Sequence, residues 1–434
     1  MKQLEALAQE YRDGKIKEQH LELRVFSDVF NSDPEKVNEA CRAGELIRNE
    51  QVASRAGVEL KEIAAASVQN GSLLNGHVLT GIEKKIGGAV IPMGVAGPVV
   101  VHGEYARGEF FLPLATNEAA LVAGVQRGIK AINLAGGLHT VVTFDGMSRA
   151  PLIEAPSIIE AKQLCRRVVE DMQLLQRLDA VISDPFVKLK YIEPYQLGTK
   201  VFLRFVCSTG DAMGMNGVTK ASADMVRALL KELEGWKLLT ISGNMCTDKK
   251  ASHINVLQGR GKSVHAQVHI PEEVLKQVFK SGVTSRKVEQ VVFNKCYLGS
   301  CLSGTISGFN VNAANALAAF FAATGQDMAH VVSSSAAFVQ AESDDDGLHF
   351  QVSMPSLEVA TIGGGTNFGT AKEALKLLGC GEFGSSPDDN TNVKRLAELC
   401  CTAVAALDLN TACAQAAEYE MADSHVALAR GEKE

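Results

Sequence analysis

The sequence is short of several things that would narrow its chemistry at once. It has one tryptophan, and aromatic residues make up only 6% of it. Its ten cysteines, Cys41, Cys165, Cys207, Cys246, Cys296, Cys301, Cys380, Cys400, Cys401 and Cys413, include no C-x-x-C pair, and no histidine spacing completes a zinc site. No metal centre is therefore expected. The scattered thiols, with no secretory signal pattern, lead us to expect a reduced, cytoplasmic protein. No basic stripe or tail is present and the net charge is −7, which argues against nucleic acid as the partner. No G-x-G-x-x-G follows an apolar strand pattern, so a nucleotide site here would be of a non-Rossmann type. The uncharged run from Cys296 to Gln326 carries Asn310, Asn312 and Asn315. A lipid-facing helix rarely takes three asparagines, so no membrane span is expected. Repeats and low-complexity tracts are absent as well.

What is present is a chain of 434 residues, 46% apolar and 21% charged, long enough for two or three domains. Residues 1–75 read as a helical arm, with apolar spacing of three and four in Val37–Arg48 and Leu60–Ser67. From Gly81 the chain turns glycine- and proline-rich without becoming polar, which indicates packed backbone. Strands are expected at Val99–Val101 and Glu109–Leu112. A helix capped by Thr116 or Asn117 should then run to Ala131, with Glu118 in its first turn. Thr140–Phe144 reads as a strand and Asp145–Arg149 as a turn. Residues 151–241 read as helix (Ser157–Ile182), two strands (Val187–Glu193, Lys200–Ser208), helix (Lys220–Leu233) and strand (Trp236–Ile241). That is a small α+β insert. Later come a strand at Ser263–Ile270, helices at Pro271–Ser281 and Ser285–Tyr297, and a strand at 348–354. Helices at Ala371–Leu378, Val393–Ala406 and Thr411–Ala429 complete the pattern.

Several stretches carry chemistry. Ser242-Gly-Asn-Met-Cys-Thr-Asp-Lys-Lys250 places two lysines and an aspartate after an apolar run. Neighbouring residues point in different directions, so one lysine can face a reacting oxygen while the other grips a carboxylate. Read alone, the pair is better taken as a solvated turn with two surface lysines, since lysines are mostly exposed. Glu118, read alone, fits a helix-dipole partner, and His425 an ordinary packing histidine. Asp327, at the close of an uncharged segment, requires a partner or a shifted pKa. Gly210-Asp-Ala-Met-Gly-Met-Asn216 sits between a strand and a helix, where glycine backbone can approach a phosphate.

Ile91-Pro-Met-Gly-Val-Ala-Gly-Pro98, Leu114-Ala-Thr-Asn-Glu118, Asp145-Gly-Met-Ser-Arg149, Gly210–Asn216, Ser242–Lys250, Gly325-Gln-Asp327, Ile362-Gly-Gly-Gly-Thr-Asn367 and Ser424-His425 occur in one order. Together they resemble the soluble catalytic portion of 3-hydroxy-3-methylglutaryl-CoA (HMG-CoA) reductases, closest to the form shared by archaea and eukaryotes. The resemblance covers about residues 35–430. It implies an α+β fold: a large mixed helix and sheet domain binding HMG-CoA (76–150 and 242–405), with an inserted small ferredoxin-like nucleotide domain (151–241). Flanking these are the N-terminal helical segment (1–75) and a C-terminal helix (406–434) carrying the catalytic histidine.

The implied reaction reduces HMG-CoA to mevalonate and CoA with two hydrides from NADPH or NADH, feeding isoprenoid synthesis. Lys249 matches the lysine that stabilises the oxyanion. Glu118 matches the proton donor, a role that needs a raised pKa. Asp327 matches the aspartate coupling the two, and His425 the histidine that protonates the CoA thiolate. Arg149, Ser242, Asp248, Lys250, Lys295 and Asn315 match positions around the HMG moiety, and Arg127 one near CoA. Asp211, Ala212, Met213, Gly214, Met215 and Asn216, with Gly363, Gly364 and Gly365 opposite, match the cofactor site. The family's sites form between subunits, so a homodimer or higher oligomer is implied. The terminal position of the segment bearing His425 suggests a lid closing over the site.

Four departures stand out. Relatives that use NADPH often have Ser-Arg before a phenylalanine, where this chain has Asp184-Pro-Phe186, a carboxylate better suited to a ribose hydroxyl and leaning toward NADH. Asn312 replaces a CoA-contacting histidine, Ala251 a proline, and Gly431 a phosphorylatable serine. Two other uses of such a site stay open: oxidative mevalonate breakdown, and a non-catalytic CoA- or nucleotide-binding homologue. Glu118, Lys249, Asp327 and His425 occurring together argue against the second.

Overall fold

The computed structural model describes residues 9–11, 13–15, 34–66, 82, 84–381 and 390–423. The fold is α+β, and its strand pairs are antiparallel apart from β1–β3 and one isolated bridge. The chain separates into two compact units. One comprises residues 1–92 with Gly364–Glu373, the other Met93–Gly363 with residues 374–434.

The first unit contains α1 (Pro34–Ala56). Buried Glu45 pairs with Lys85 at 3.0 Å, and Asn49 donates to the carbonyl of Ile86 at 2.9 Å.

The second unit contains β1 (Met93–Gly103), β2 (Arg107–Ala115), α2 (Leu121–Leu134), β3 (Leu138–Arg149) and β4 (Leu152–Glu154). These are followed by α3 (Ile158–Glu170), α4 (Met172–Ala180), β5 (Lys188–Leu197), β6 (Lys200–Ser208), α5 (Met215–Lys231) and β7 (Lys237–Thr240). Then come β8 (Gly261–Pro271), α6 (Ala313–Thr324), β9 (Phe338–Ser343), β10 (Gly347–Leu357) and α7 (Thr391–Ala416).

The strands run in the order β7-β4-β6-β3-β8-β10-β9, with β5 also on β6 and β1 on both β2 and β3. Strand β3 belongs to two neighbourhoods. Residues His139–Gly146 pair with β8, whereas Met147–Arg149 pair with β6. Arg149 is thereby carried into the smaller sheet, whose strands β7-β4-β6-β5 and helices α3, α4 and α5 follow the ferredoxin-like β-α-β-β-α-β order. That sheet encloses its own apolar cluster, including Ile153, Leu164, Leu203, Phe205 and Met225.

The larger cluster surrounds α7. This helix is the one among the described residues long and apolar enough to cross a membrane, and its most apolar 18-residue stretch is wholly buried. Helix α2 crosses it so closely that a Cβ on Gly128 would lie 1.9 Å from the Ala406 carbonyl oxygen. Two buried carboxylates on α7 serve backbone elsewhere. Glu398 accepts the N–H groups of Glu104, Tyr105 and Ala106. Asp408 accepts those of Val311 and Asn312 at 3.1 and 3.0 Å. Buried donors are satisfied in this way at two turns that have no other strand partner.

Several local expectations are corrected. The helix after Glu118 begins at Leu121, not at a Thr116 or Asn117 cap, because Ala120 is left-handed at φ 71°. Glu118 therefore lies in the preceding loop. Asp145–Arg149 is strand, since both sides find sheet partners. The segment Ser157–Ile182 breaks at Asp171, whose carboxylate accepts the Leu174 N–H and starts α4. Helices expected at Val393–Ala406 and from Thr411 are one helix, because Asp408 and Asn410 find partners inside the fold. The part of the second beyond residue 423 lies outside the described residues. Of the uncharged run to Gln326, Ser300–Ser303 and α6 are α-helical, following a π-helical turn over Val292–Gly299.

Candidate active site

The lysine segment follows β7 as an irregular turn. Asn244, Thr247 and Lys249 all have positive φ, at 70°, 42° and 59°. Left-handed non-glycine residues cost on the order of 1 kcal/mol each, so the turn persists only where its surroundings dictate it. Those surroundings are visible. Gly243 N–H donates to Ala150 O at 2.7 Å, the Thr247 and Ser252 hydroxyls share a 2.7 Å hydrogen bond, and Lys250 Nζ donates to the Asp248 carbonyl at 3.0 Å. The result aims Lys249 away from Lys250. Lys249 Nζ lies 2.9 Å from Asp327 Oδ2.

Asp327 caps a short 3-10 turn, Met328–His330, accepting the Ala329 N–H at 3.1 Å. Burial pushes its carboxyl up, but the Lys249 ammonium, the Ala329 N–H and His330 together outweigh burial and hold it below the usual carboxylate value. Behind the ion pair sits fully buried His330. Its Nε2 is 3.6 Å from Asp327 Oδ2 and 3.8 Å from Asp248 Oδ1, and its Nδ1 is 3.4 Å from Glu358 Oε2. Arg260, also fully buried, bonds Glu358 and reaches Asp248 Oδ1 at 3.0 Å. Glu358 accepts in addition from Ser333 and Ser334 at 2.7 and 3.0 Å. Asp248 is thus held by Arg260 and approached at 3.7 Å by Arg149. Arg149 donates onward to Ser242 Oγ at 2.9 Å and Thr219 Oγ1 at 3.0 Å. Arg149, Ser242, Asp248, Lys249 and Asp327 therefore form one connected polar network.

Glu118 is exposed. Both its carboxylate oxygens accept from Asn315 Nδ2, at 3.1 and 2.9 Å. Asn315 lies in the first turn of α6, whose entry is fixed by Asp408 of α7. Asn312 is part of that entry: its side chain donates to Thr411 Oγ1 at 3.3 Å. Lys295 is exposed on the π-helical turn Val292–Gly299, a local geometry common at functional sites. Arg127 is engaged internally, with Nε on Asn410 at 2.6 Å and a guanidinium nitrogen on buried Glu420. It ties down the turn that leads toward residue 424. His425 lies outside the described residues.

On the nucleotide side, α5 begins at Gly214, left-handed at φ 82°, and no side chain caps its N-terminus. Its first N–H groups are thus available to an anion. A Cβ on Gly217, in the first turn, would lie 2.9 Å from Asp184 Oδ2, so backbone and carboxylate face each other there. Asp184 Oδ1 accepts the Phe186 N–H at 3.0 Å. Ala212 bridges Ile362 in parallel, and Thr361 N–H donates to Asp211 O at 3.0 Å. This sets the Gly210–Asn216 loop beside Ile362 and Gly363. Asp211 and Met215 have other partners. The Asp211 carboxylate accepts the Val393 N–H at 2.9 Å at the start of α7, and Met215 is buried against Arg260. Met213 lies in the loop and Asn216 in the first turn of α5, while Gly364 and Gly365 begin a 3-10 turn in the other unit.

A family model described as hydroxymethylglutaryl-coenzyme A reductase matches residues 46–430. The chain belongs to the HMG-CoA reductase family. It is 40% identical over 431 residues to the 3-hydroxy-3-methylglutaryl-coenzyme A reductase of Aeropyrum pernix, covering 99% of this chain and 97% of that protein. The corresponding protein of Pyrococcus abyssi is 37% identical over 98% of this chain and its own full length. Among solved structures, a class II HMG-CoA reductase from Streptococcus pneumoniae bound to NADPH in open conformations superposes with a TM-score of 0.60. It is 18% identical and covers 85% of this chain and 96% of its own, a likeness of fold.

Within this HMG-CoA reductase family member, reading the sequence missed Arg260, His330 and Glu358. Arg260 lay in plain view in Gly259-Arg-Gly-Lys262, and His330 stands three residues after Asp327. Nothing local joins them to Glu358. The β8–β10 register, which pairs Lys262 with Leu357, sets Arg260 beside Glu358, and the 3-10 turn Met328–His330 brings His330 to them.

Proposed function

We propose that this chain is a catalytically active HMG-CoA reductase that reduces the HMG-CoA thioester to mevalonate and free CoA. The reaction consumes two reduced nicotinamides and two protons. The observation that carries the reading is the Lys249–Asp327 pair, 2.9 Å apart, with Lys249 held on a left-handed turn. When bound, the reduced nicotinamide supplies a hydride at each of two stages. Lys249 holds the oxygen that becomes negative when the thioester carbonyl is reduced, as a compact cation suited to a charge that develops during reaction. Asp327 fixes the ammonium in place and links its titration to that of the neighbouring groups. Glu118, held by Asn315, delivers the proton that the aldehyde oxygen takes up with the second hydride, after the first oxyanion has collapsed and expelled the thiolate. His425 protonates the departing CoA thiolate, and the aldehyde left behind is reduced at the same lysine.

The Arg149, Ser242, Asp248 and Lys250 cluster, with Lys295, is assigned to the HMG carboxylate and hydroxyl. Arg149 offers a planar fork and Lys250 a point charge. Arg127 lies toward the CoA side, through its hold on the C-terminal segment. The uncapped start of α5 and the glycines at 214 and 363 are assigned to the cofactor phosphates. Asp184, facing Gly217, is assigned to the adenosine ribose, where a carboxylate favours NADH over NADPH. We also propose the division into a large domain (76–150, 242–405) and a small one (151–241), and a homo-oligomer with sites shared between subunits. The test is absorbance loss of NADPH and of NADH with HMG-CoA as substrate, together with thiol release. Two nicotinamides oxidised per CoA released supports the reading. Binding without turnover would replace it with that of a non-catalytic homologue.

A further inference from the structure

Five of the chain's ten histidines, His102, His139, His265, His269 and His349, lie on the strands of the larger sheet. Two of them make a particular arrangement. His269 on β8 and His349 on β10 are direct partners in the antiparallel register. Their rings stand 4.4 Å apart between centroids, tilted by 44°. The turn between β9 and β10 brings in Asp344, whose carboxylate lies 2.7 Å from His349 Nε2 and 3.5 Å from His269 Nε2. One ligand atom from each of the three residues lies within 4.8 Å of the other two. His269 is half-buried, and the other two residues are exposed.

Opposed histidines on neighbouring strands project to the same face at the closest side-chain spacing a sheet offers. What separates this trio from a chance surface cluster is that its carboxylate is already fixed. Asp344 Oδ1 accepts the N–H groups of Gly347 at 2.7 Å and Asp346 at 3.0 Å. Those two backbone donors fix the carboxylate in place before any ion binds. An ion entering between the rings would therefore meet an ordered, charged oxygen and two imidazoles. On the far side of His349, Glu342 of β9 is its register partner and is exposed. Water can fill the fourth position.

We propose that His269, His349 and Asp344 form a binding site for a divalent transition ion of the zinc class, stapling the β9–β10 hairpin to β8. Two imidazoles with one carboxylate suit Zn²⁺ and its first-row neighbours, whereas Mg²⁺ and Ca²⁺ prefer all-oxygen shells. The site is separate from the network around Lys249 and uses none of its residues.

The test is titration of the full chain with Zn²⁺ and, for spectroscopy, with Co²⁺. The same titrations are run on His269→Gln, His349→Gln and the double variant. These are surface changes, and circular dichroism verifies the fold. The wild type should take up one ion that the double variant does not. Each single variant should weaken binding by more than about 100-fold, beyond the loss typical of outer-shell changes. Bound Co²⁺ should show visible ligand-field bands without thiolate charge transfer. Zn²⁺ should raise the thermal midpoint of the wild type and not that of the double variant. Equal uptake by wild type and double variant would overturn the proposal. So would a thiolate charge-transfer band common to both, which would place the ion on cysteines.

Discussion

Replacing Asp327 by asparagine separates what the Lys249–Asp327 pair does for the fold from what it does for chemistry. The two atoms stand 2.9 Å apart, but the side chains are 42% and 38% exposed. An ion pair that wet and that screened contributes about 0–1 kcal/mol to stability. Asparagine is also a good N-cap, so the Ala329 N–H that Asp327 accepts keeps its partner. The thermal midpoint of Asp327→Asn should therefore stay close to wild type. The chemical step is a different matter. Without the carboxylate, Lys249 loses its anchor and the proton inventory around the reacting oxygen changes. Losses of about 10²–10⁴ in kcat are typical when a proton-transfer or oxyanion group is disabled. The assay is single-turnover oxidation of reduced nicotinamide with HMG-CoA, set beside a melt of the same sample. The pH dependence has a definite sign. Asp327 titrates below the usual carboxylate value, so the pair is intact above that range and is lost as pH falls through the folded value. A variant that melts well below wild type while retaining its turnover would refute this reasoning and make the pair structural.

Two further outcomes follow from single residues. Burial pushes Asp408 up to about 7, against the pull of the Asn312 and Val311 N–H groups. Between its ordinary 3.8 and about 7, the folded chain keeps a proton that the unfolded chain has lost. Its contribution to stability should fall as pH rises across that window and level off above it, and Asp408→Asn should flatten the slope of melting temperature against pH; an unchanged slope would count against the assignment. Replacing Asp184 by serine removes the carboxylate facing Gly217 and should shift the ratio of kcat/KM for NADPH over NADH upward by tenfold or so, each tenfold being about 1.4 kcal/mol. An unmoved ratio would mean that another group reads the ribose.

How much of this was legible beforehand depended on whether the information was local. The order of helices and strands in residues 151–241 largely was, because each element lies between clear breaks, though the break at Asp171 was not; the ferredoxin-like arrangement came with the family resemblance. The lysine turn was, because its motif is contiguous. Its left-handed residues were not, since no residue type there announces a positive φ. Glu398 and Asp408 were invisible as structural groups: each looks like a charge interrupting an apolar helix until the turn it serves is brought beside it. Asp408 led to α7 being read as two helices for that reason. The Arg260–Glu358 pair is likewise a product of strand register between β8 and β10, and His330 joins it only through the turn after α6. Asp211 was legible as part of a glycine loop, but its carboxylate holds the first turn of α7, a partner 182 residues away in sequence.

The most direct test of the central claim is hydride transfer in Lys249→Ala. Removing Lys249 should leave the fold intact, since the side chain is 42% exposed and alanine neither relieves nor adds strain at its positive φ. The account predicts an unchanged melt, bound HMG-CoA and no detectable oxidation of NADPH or NADH above background. Substantial turnover in a folded Lys249→Ala protein would contradict it.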